Sequence, residues 1–217
     1  MTIDYTKRST PAPAVSLHKL TLTKSAPTVS LTKQSGRLRV NLNWTAQPAG
    51  TRPAGLLKRM TGAGGIDLDL GCLYELDDGT KGVVQALGGA FGSLDSAPFI
   101  YLDGDDRSGA SSSGETMYVN LAHAGQIRRI LVFACIYQGA ASFDQAGGVV
   151  TLEPATGPTI EVRLDEQAGG SRMCAVALIE GDRAGLSVRR EVRYIAGSQS
   201  DLDQAYGWGM RWARGRK

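Results

Sequence analysis

From Ile66 onward the chain repeats one unit: a short run rich in Val, Ile, Tyr and Thr, then a turn signal. The runs are IDLDLGCLYEL, KGVVQAL, APFIYL, TMYVNL, RRILVFACIYQ, GGVVTLEP, TIEVRL, RMCAVALIEGD and LSVRREVRYI. Their spacing of about ten residues is that of an all-β sandwich. Asp77-Asp78-Gly79-Thr80 between the first two runs is a hairpin signal. IRRILVFACIYQ and MCAVALIE are nearly continuous apolar runs, the mark of central strands buried on both sides. Upstream, VSLHKLTLTK, TVSLTKQSG and GRLRVNLNW alternate apolar and polar residues, the period of half-buried strands. Val15-Ser16-Leu17 returns as Val29-Ser30-Leu31.

Residues 1–14 are polar, carry Pro11 and Pro13, and read as a disordered tail. Residues 15–217 then form one β-sandwich domain, with a flexible loop inserted over 45–65. At its centre Leu56-Leu57-Lys58-Arg59-Met60 is a small apolar–basic patch, too short for a membrane helix. The last segment, DLDQAYGWGMRWARGRK, reads as a short helix running into a basic aromatic tail. No apolar run is long enough to cross a membrane, and the N-terminus lacks the apolar core of a secretory signal. Cys72, Cys135 and Cys174 are far apart among apolar neighbours, as reduced core thiols of a cytoplasmic protein would be. His18 and His123 are the two histidines, too few for a histidine-rich metal centre, and neither lies near a nucleophile motif.

The net charge of +3 hides an asymmetry. Residues 1–66 set ten Lys/Arg against Asp4 alone, a balance of +9. Residues 67–171 carry fifteen acids and five bases, −10, and residues 172–217 return to +4. Within the acidic middle, Asp67 and Asp69 flank Leu68; on a strand both carboxylates share one face, about 6–7 Å apart. With Ile66, Leu68 and Leu70 turned to the core, that acidic face looks outward or toward a covering loop. The stretch FIYLDGDDRSGASSSGE supplies such a loop, with Asp103, Asp105, Asp106 and Glu115. Crowded like charges cost free energy unless a positive charge sits among them. Calcium takes six to eight hard oxygen ligands in irregular geometry, which carboxylates and loop carbonyls provide. The spacing is not that of an EF-hand: from Asp103, the fifth and twelfth positions are Arg107 and Gly114. A solvated acidic turn with Arg107 pairing one carboxylate fits the same residues.

GIDLDLGCLYELDDG, LDGDDRSGASSSGE and IRRILVFACIYQG resemble the TerD domain of the bacterial tellurite-resistance family. VSLTKQSGRLRVNLNW, GVVQALGGAFG and AYGWGMRW look most like its TerA branch, so that the likeness runs from about Val15 to Lys217. The resemblance implies a TerD-like β-sandwich that binds calcium between a DLD strand and an acidic loop, with no established enzymatic activity. It places the DLD on Asp67-Leu68-Asp69, the loop's GDN on Gly104-Asp105-Asp106 and its TG on Ser108-Gly109. Ala110, Ser112 and Gly114 stand where the family has further acids, and Glu115 is kept, which implies one ion rather than two, or a weak site. The implied ligands are Asp67, Asp69, Asp105, Asp106 and Glu115, with Asp103 as ligand or orienter.

Three functions compete. The first is a non-catalytic, calcium-binding stress protein of tellurite resistance. Its partners would be other tellurite-resistance proteins, in the cytoplasm or peripherally at the inner membrane. The second is a magnesium-dependent phosphotransferase or hydrolase using the paired aspartates. Against it, GAGG rather than a buried apolar strand precedes Ile66, and no phosphate-cradling loop follows. The third uses the basic termini, with Arg211, Trp212, Arg214, Arg216 and Lys217, to bind anionic membrane or nucleic acid without sequence preference. No cysteine cluster could reduce or trap the oxyanion, so detoxification by this chain itself is not expected.

Overall fold

A computed structural model describes residues 19–32, 35–45, 65–104, 114–182 and 185–213. The tail expected over 1–14, nearly all of the insertion expected over 45–65, and Asp105 and Asp106 lie outside the described residues. The strands are β1 (Lys19–Thr21), β2 (Thr28–Thr32), β3 (Arg37–Asn43), β4 (Asp67–Leu76), β5 (Lys81–Gln85), β6 (Gly92–Ser93) and β7 (Ile100–Leu102). They continue as β8 (Glu115–Asn120), β9 (Ile127–Gln138), β10 (Gly148–Glu153), β11 (Thr159–Leu164), β12 (Met173–Asp182) and β13 (Gly185–Ile195). Two short helices follow β9 and β13: α1 (Phe143–Ala146) and α2 (Gln199–Tyr206).

Two sheets face each other, one ordered β1-β11-β10-β3-β8-β7-β6 and the other β2-β13-β12-β9-β4-β5. The all-β sandwich expected from the repeating runs is the fold observed. Strands β9 and β12, the two continuous apolar runs, lie at the middle of the second sheet. Their alternate residues serve two cores. Ile130, Val132, Ala134 and Cys174 enter the main core between the sheets. Leu131, Phe133, Met173 and Ala175 enter a second core on the outer face, closed by Leu202 of α2 and by Trp208. A strand buried on both faces needs no polar alternation, which is why these runs look unbroken.

The C-terminal segment is held by one buried carboxylate. Asp203 accepts hydrogen bonds from the Gly209 and Met210 amides at 2.8 and 2.9 Å and from the Trp212 indole at 3.0 Å. Trp208 is buried, its indole donates to the Tyr74 carbonyl at 3.0 Å, and the Arg129 guanidinium stacks on its ring at 3.8 Å. Trp208 is therefore a packing residue, and Trp212 is half-buried beside it; Arg214, Arg216 and Lys217 lie outside the described residues. Ser198 caps α2, its side chain and that of Asp201 closing a reciprocal capping box.

The hairpin read at 77–80 is present: the Leu76 amide donates to the Thr80 carbonyl at 2.8 Å, and Gly79 takes φ +85°. Cys72 and Cys174 are core thiols, and burial pushes the Cys72 thiol up to about 12. Cys135 departs from the expectation of purely apolar surroundings. It is half-buried beside Asp69.

Candidate functional site: a buried acidic end of the sandwich

Strand β4 pairs with β9 along its whole length, but with β5 only from Gly71 to Glu75. Its first four residues therefore run past the end of β5. The Leu76–Thr80 bond sets the alternation of the β4–β5 ladder, so the amides of Cys72 and Leu70 point to the β5 side as well. At Leu70 the partner is not β5. It is the Glu115 carboxylate, which accepts the Leu70 amide at 2.6 Å. Glu115 opens β8 in the opposite sheet and is 2% exposed. One carboxylate thus ties the two sheets together where an edge would lie bare.

Glu115 is placed by its neighbours. The Asp103 amide donates to the Thr116 carbonyl at 2.8 Å, closing the stem of the β7–β8 loop. Gly114 takes φ +62°, and a side chain there would strike the Leu42 carbonyl, so only glycine brings the chain into β8 at this angle. Asn41 of β3 donates to the Glu115 carbonyl oxygen at 3.0 Å.

Asp67 and Asp69 are 2% and 7% exposed. They lie on the outer face of the second sheet, with Cys135 and Leu73, and are covered there. The ladder between β4 and β9 slips where Asp67 faces Gln138 and Leu68 faces Ile136. The extra residue, Tyr137, is on β9, so β4 keeps its alternation and Asp67 and Asp69 share a face. Arg172 holds the slipped strand, donating to the Ile136 carbonyl at 2.7 Å and the Tyr137 carbonyl at 2.6 Å. Asp69 faces Cys135 across the ladder, and the thiol lies 3.7 Å from its carboxylate. Asp69, Cys135, Arg172 and Ser198 line an open cavity of about 240 Å³.

Of the six residues expected at the site, the structure buries three, Asp67, Asp69 and Glu115, and joins Glu115 to the strand that carries the other two. Asp103 stands exposed at the neck of the loop, while Asp105 and Asp106 lie outside the described residues. Among the described residues, no three of His, Cys, Asp and Glu converge closely enough to hold a metal ion. Sequence reasoning missed Cys135, since its place opposite Asp69 depends on a cross-strand register that no local pattern encodes. The donor set is made of carboxylates, hard oxygen ligands suited to calcium or magnesium rather than to softer metals.

No protein-family model matches the chain. The chain is 45% identical over 206 residues to tellurium resistance protein TerA of Alcaligenes sp., a match covering 94% of this chain. It spans 60% of the length of that curated relative. Among solved structures, a protein of unknown function, SAV2460, superposes with a TM-score of 0.57 at 17% identity, over 82% of this chain and 100% of that one. A homologue of telluride resistance protein TerD from Streptomyces coelicolor A3(2) superposes with a TM-score of 0.53 at 20% identity, over 79% of this chain and 95% of that one. At those identities the two structures speak for the fold, and the sequence match speaks for kinship. Nearly the whole chain is thus similar to a tellurium resistance protein, on a TerD-like fold.

Proposed function

We propose that this chain is a non-catalytic stress-response protein of tellurium resistance. Its acidic end binds a calcium ion, and it acts in the cytoplasm through protein partners, among them other tellurite-resistance proteins, some met at the inner membrane. The observation that carries the reading is the delivery of Asp67, Asp69 and Glu115 from two different sheets to one end of the sandwich, each at most 7% exposed. Carboxylates buried at one end of a sandwich are held ionised most readily by a nearby cation. A bound calcium would supply that positive charge. The β7–β8 loop, with Asp105 and Asp106, would supply the further oxygens the described residues lack. In this reading Glu115 contributes to the ion as well as accepting the Leu70 amide.

Calorimetric titration of chelator-stripped protein with calcium chloride tests the reading. Binding of one ion is expected, with a rise in Tm. Asp67→Asn combined with Asp69→Asn removes both signals. Glu115→Gln keeps an oxygen for the Leu70 amide but not the charge, and weakens binding about tenfold or more. An undiminished calcium-dependent rise in the double variant overturns the proposal.

A further inference from the structure

Away from the acidic end, the second sheet finishes in an edge that is open among the described residues. Strand β5 pairs with β4 on one side and is the last strand of its sheet. The same alternation that turns the Cys72 amide toward β5 turns the backbone groups of Lys81, Val83 and Gln85 away from β4. The Gln85 amide is taken by the Ala90 carbonyl at 2.9 Å, which agrees with that direction. The N–H and C=O groups of Lys81 and Val83 are left to face the edge.

Beside this edge the C-terminal segment builds one wall of a groove. Gly79, Lys81, Gly82 and Val83 line one side, and Gly209, Met210, Arg211 and Trp212 the other, around about 460 Å³. The wall is rigid because Asp203 fixes the Gly209 and Met210 amides and the Trp212 indole. Val83, Met210 and Trp212 give it an apolar floor packed on the second core. Its charged lining is cationic: the Lys81 ammonium is taken by the Trp208 carbonyl at 2.8 Å and by Glu75 at 3.9 Å, which leaves the exposed Arg211 as the cation facing a ligand. The acids nearby are largely engaged: Asp203 as above, and Asp78 by the Thr80 amide at 2.8 Å, while Asp77 sits at the hairpin tip.

We propose that the β5 edge and this groove bind an extended acidic peptide segment of a partner protein by strand addition. The Lys81 and Val83 backbone groups would carry main-chain hydrogen bonds. Alternate side chains of the peptide would reach the apolar floor and the Arg211 guanidinium. This gives the partner binding proposed above a place, and it stands whether or not the acidic end binds calcium, since the two share no residue.

The test uses the full chain in EGTA, so that failure of calcium binding leaves it untouched. The probe is an acetylated heptapeptide of alternating Glu and Val, read by tryptophan fluorescence and calorimetry. Saturable binding is expected. Val83→Pro removes an outward N–H that the β4 ladder does not use, and lowers affinity about tenfold or more. Arg211→Glu lowers it about fivefold. Methylating alternate amides of the peptide abolishes binding without altering the protein, which covers a Val83→Pro variant that fails to fold. Four results overturn the proposal: no binding at millimolar peptide, equal binding of the methylated peptide, equal binding of the Lys–Val counterpart, or self-association of the wild type that Val83→Pro abolishes. The last would assign the edge to a second copy of this chain.

Discussion

Strand β4 carries buried carboxylates at both ends of one face, and the ends are built in opposite ways. Glu75 faces Arg129 across the ladder, as Asp69 faces Cys135 six residues earlier, on the same two strands. At the Glu75 end the protein supplies its own cations. Arg129 lies 2.6 Å away, Arg128 3.2 Å and Lys81 3.9 Å. At the Asp69 end the described contacts are of another kind, the Cys135 thiol with Asp69 and the Leu70 amide with Glu115, and Arg172 lines the same cavity as Asp69. Between them, Gly71 leaves room for the Phe133 ring to cover the sheet. One strand therefore buries negative charge in two settings: beside fixed counter-ions at Glu75, and at Asp67 and Asp69, where the function proposed above would place an exchangeable one.

The contrast is broken most severely at Trp208. Its ring fills the second core, its indole closes on Tyr74, and its face holds Arg129 in place for Glu75. Trp208→Ala is expected to cost about 3–5 kcal/mol, the range for removing a buried aromatic. The cost is read as a lower denaturation midpoint, and calcium binding at the far end should persist in the folded fraction. A variant that keeps wild-type stability would show that the basic end is not organised by this ring.

Glu75→Gln is the next largest. It leaves three cations around an uncharged side chain, at a cost of about 2 kcal/mol, below that of a fully buried broken pair because Arg128 reaches solvent. Burial pushes the Glu75 carboxyl up. The Arg129 hydrogen bond and the charges of Arg129, Lys81 and Arg128 outweigh that and hold it below the usual carboxylate range. A carboxyl lowered on folding contributes stability that is present above its unfolded value and is lost as pH falls through the folded one. The gap in Tm between wild type and Glu75→Gln should therefore be widest near neutrality and close in acid. A gap independent of pH would assign the loss to packing instead of charge.

Much of this was legible in the sequence, for physical reasons that also set the boundary. The strands could be read because burial imposes a period, and β9 and β12 could be placed at the centre because burial on both faces erases it. The C-terminal helix announced itself in DLDQAY, two residues after its true start at Gln199. Its function as the lid of a second core did not, because Asp203 finds its donors only once the chain turns back at Gly207. The acids of the DLD strand and Glu115 were legible as residue types, and their meeting through the Leu70 amide was not. That contact depends on β5 ending one pair short, a matter of hairpin length rather than of any motif. Alternation gave Asp67 and Asp69 their outward face, and their burial was not legible because alternation says nothing of what covers a face.

The smallest expected effect separates the two ends most sharply. Asp69→Asn in chelator removes one charge and leaves an oxygen beside the Cys135 thiol, so the local hydrogen bond survives. If carboxylates at this end repel one another when no ion is bound, the loss of one charge relieves the fold. The unfolding free energy should then stay within about 0.5 kcal/mol of wild type or rise slightly, as for a like-charge pair relaxed at a partly screened site. Glu75→Gln, the same loss of one charge on the same face of the same strand, moves stability down. A fall for Asp69→Asn as large as that for Glu75→Gln would mean that both ends are held by fixed counter-ions, and the acidic end would then have no charge left to offer an exchangeable cation.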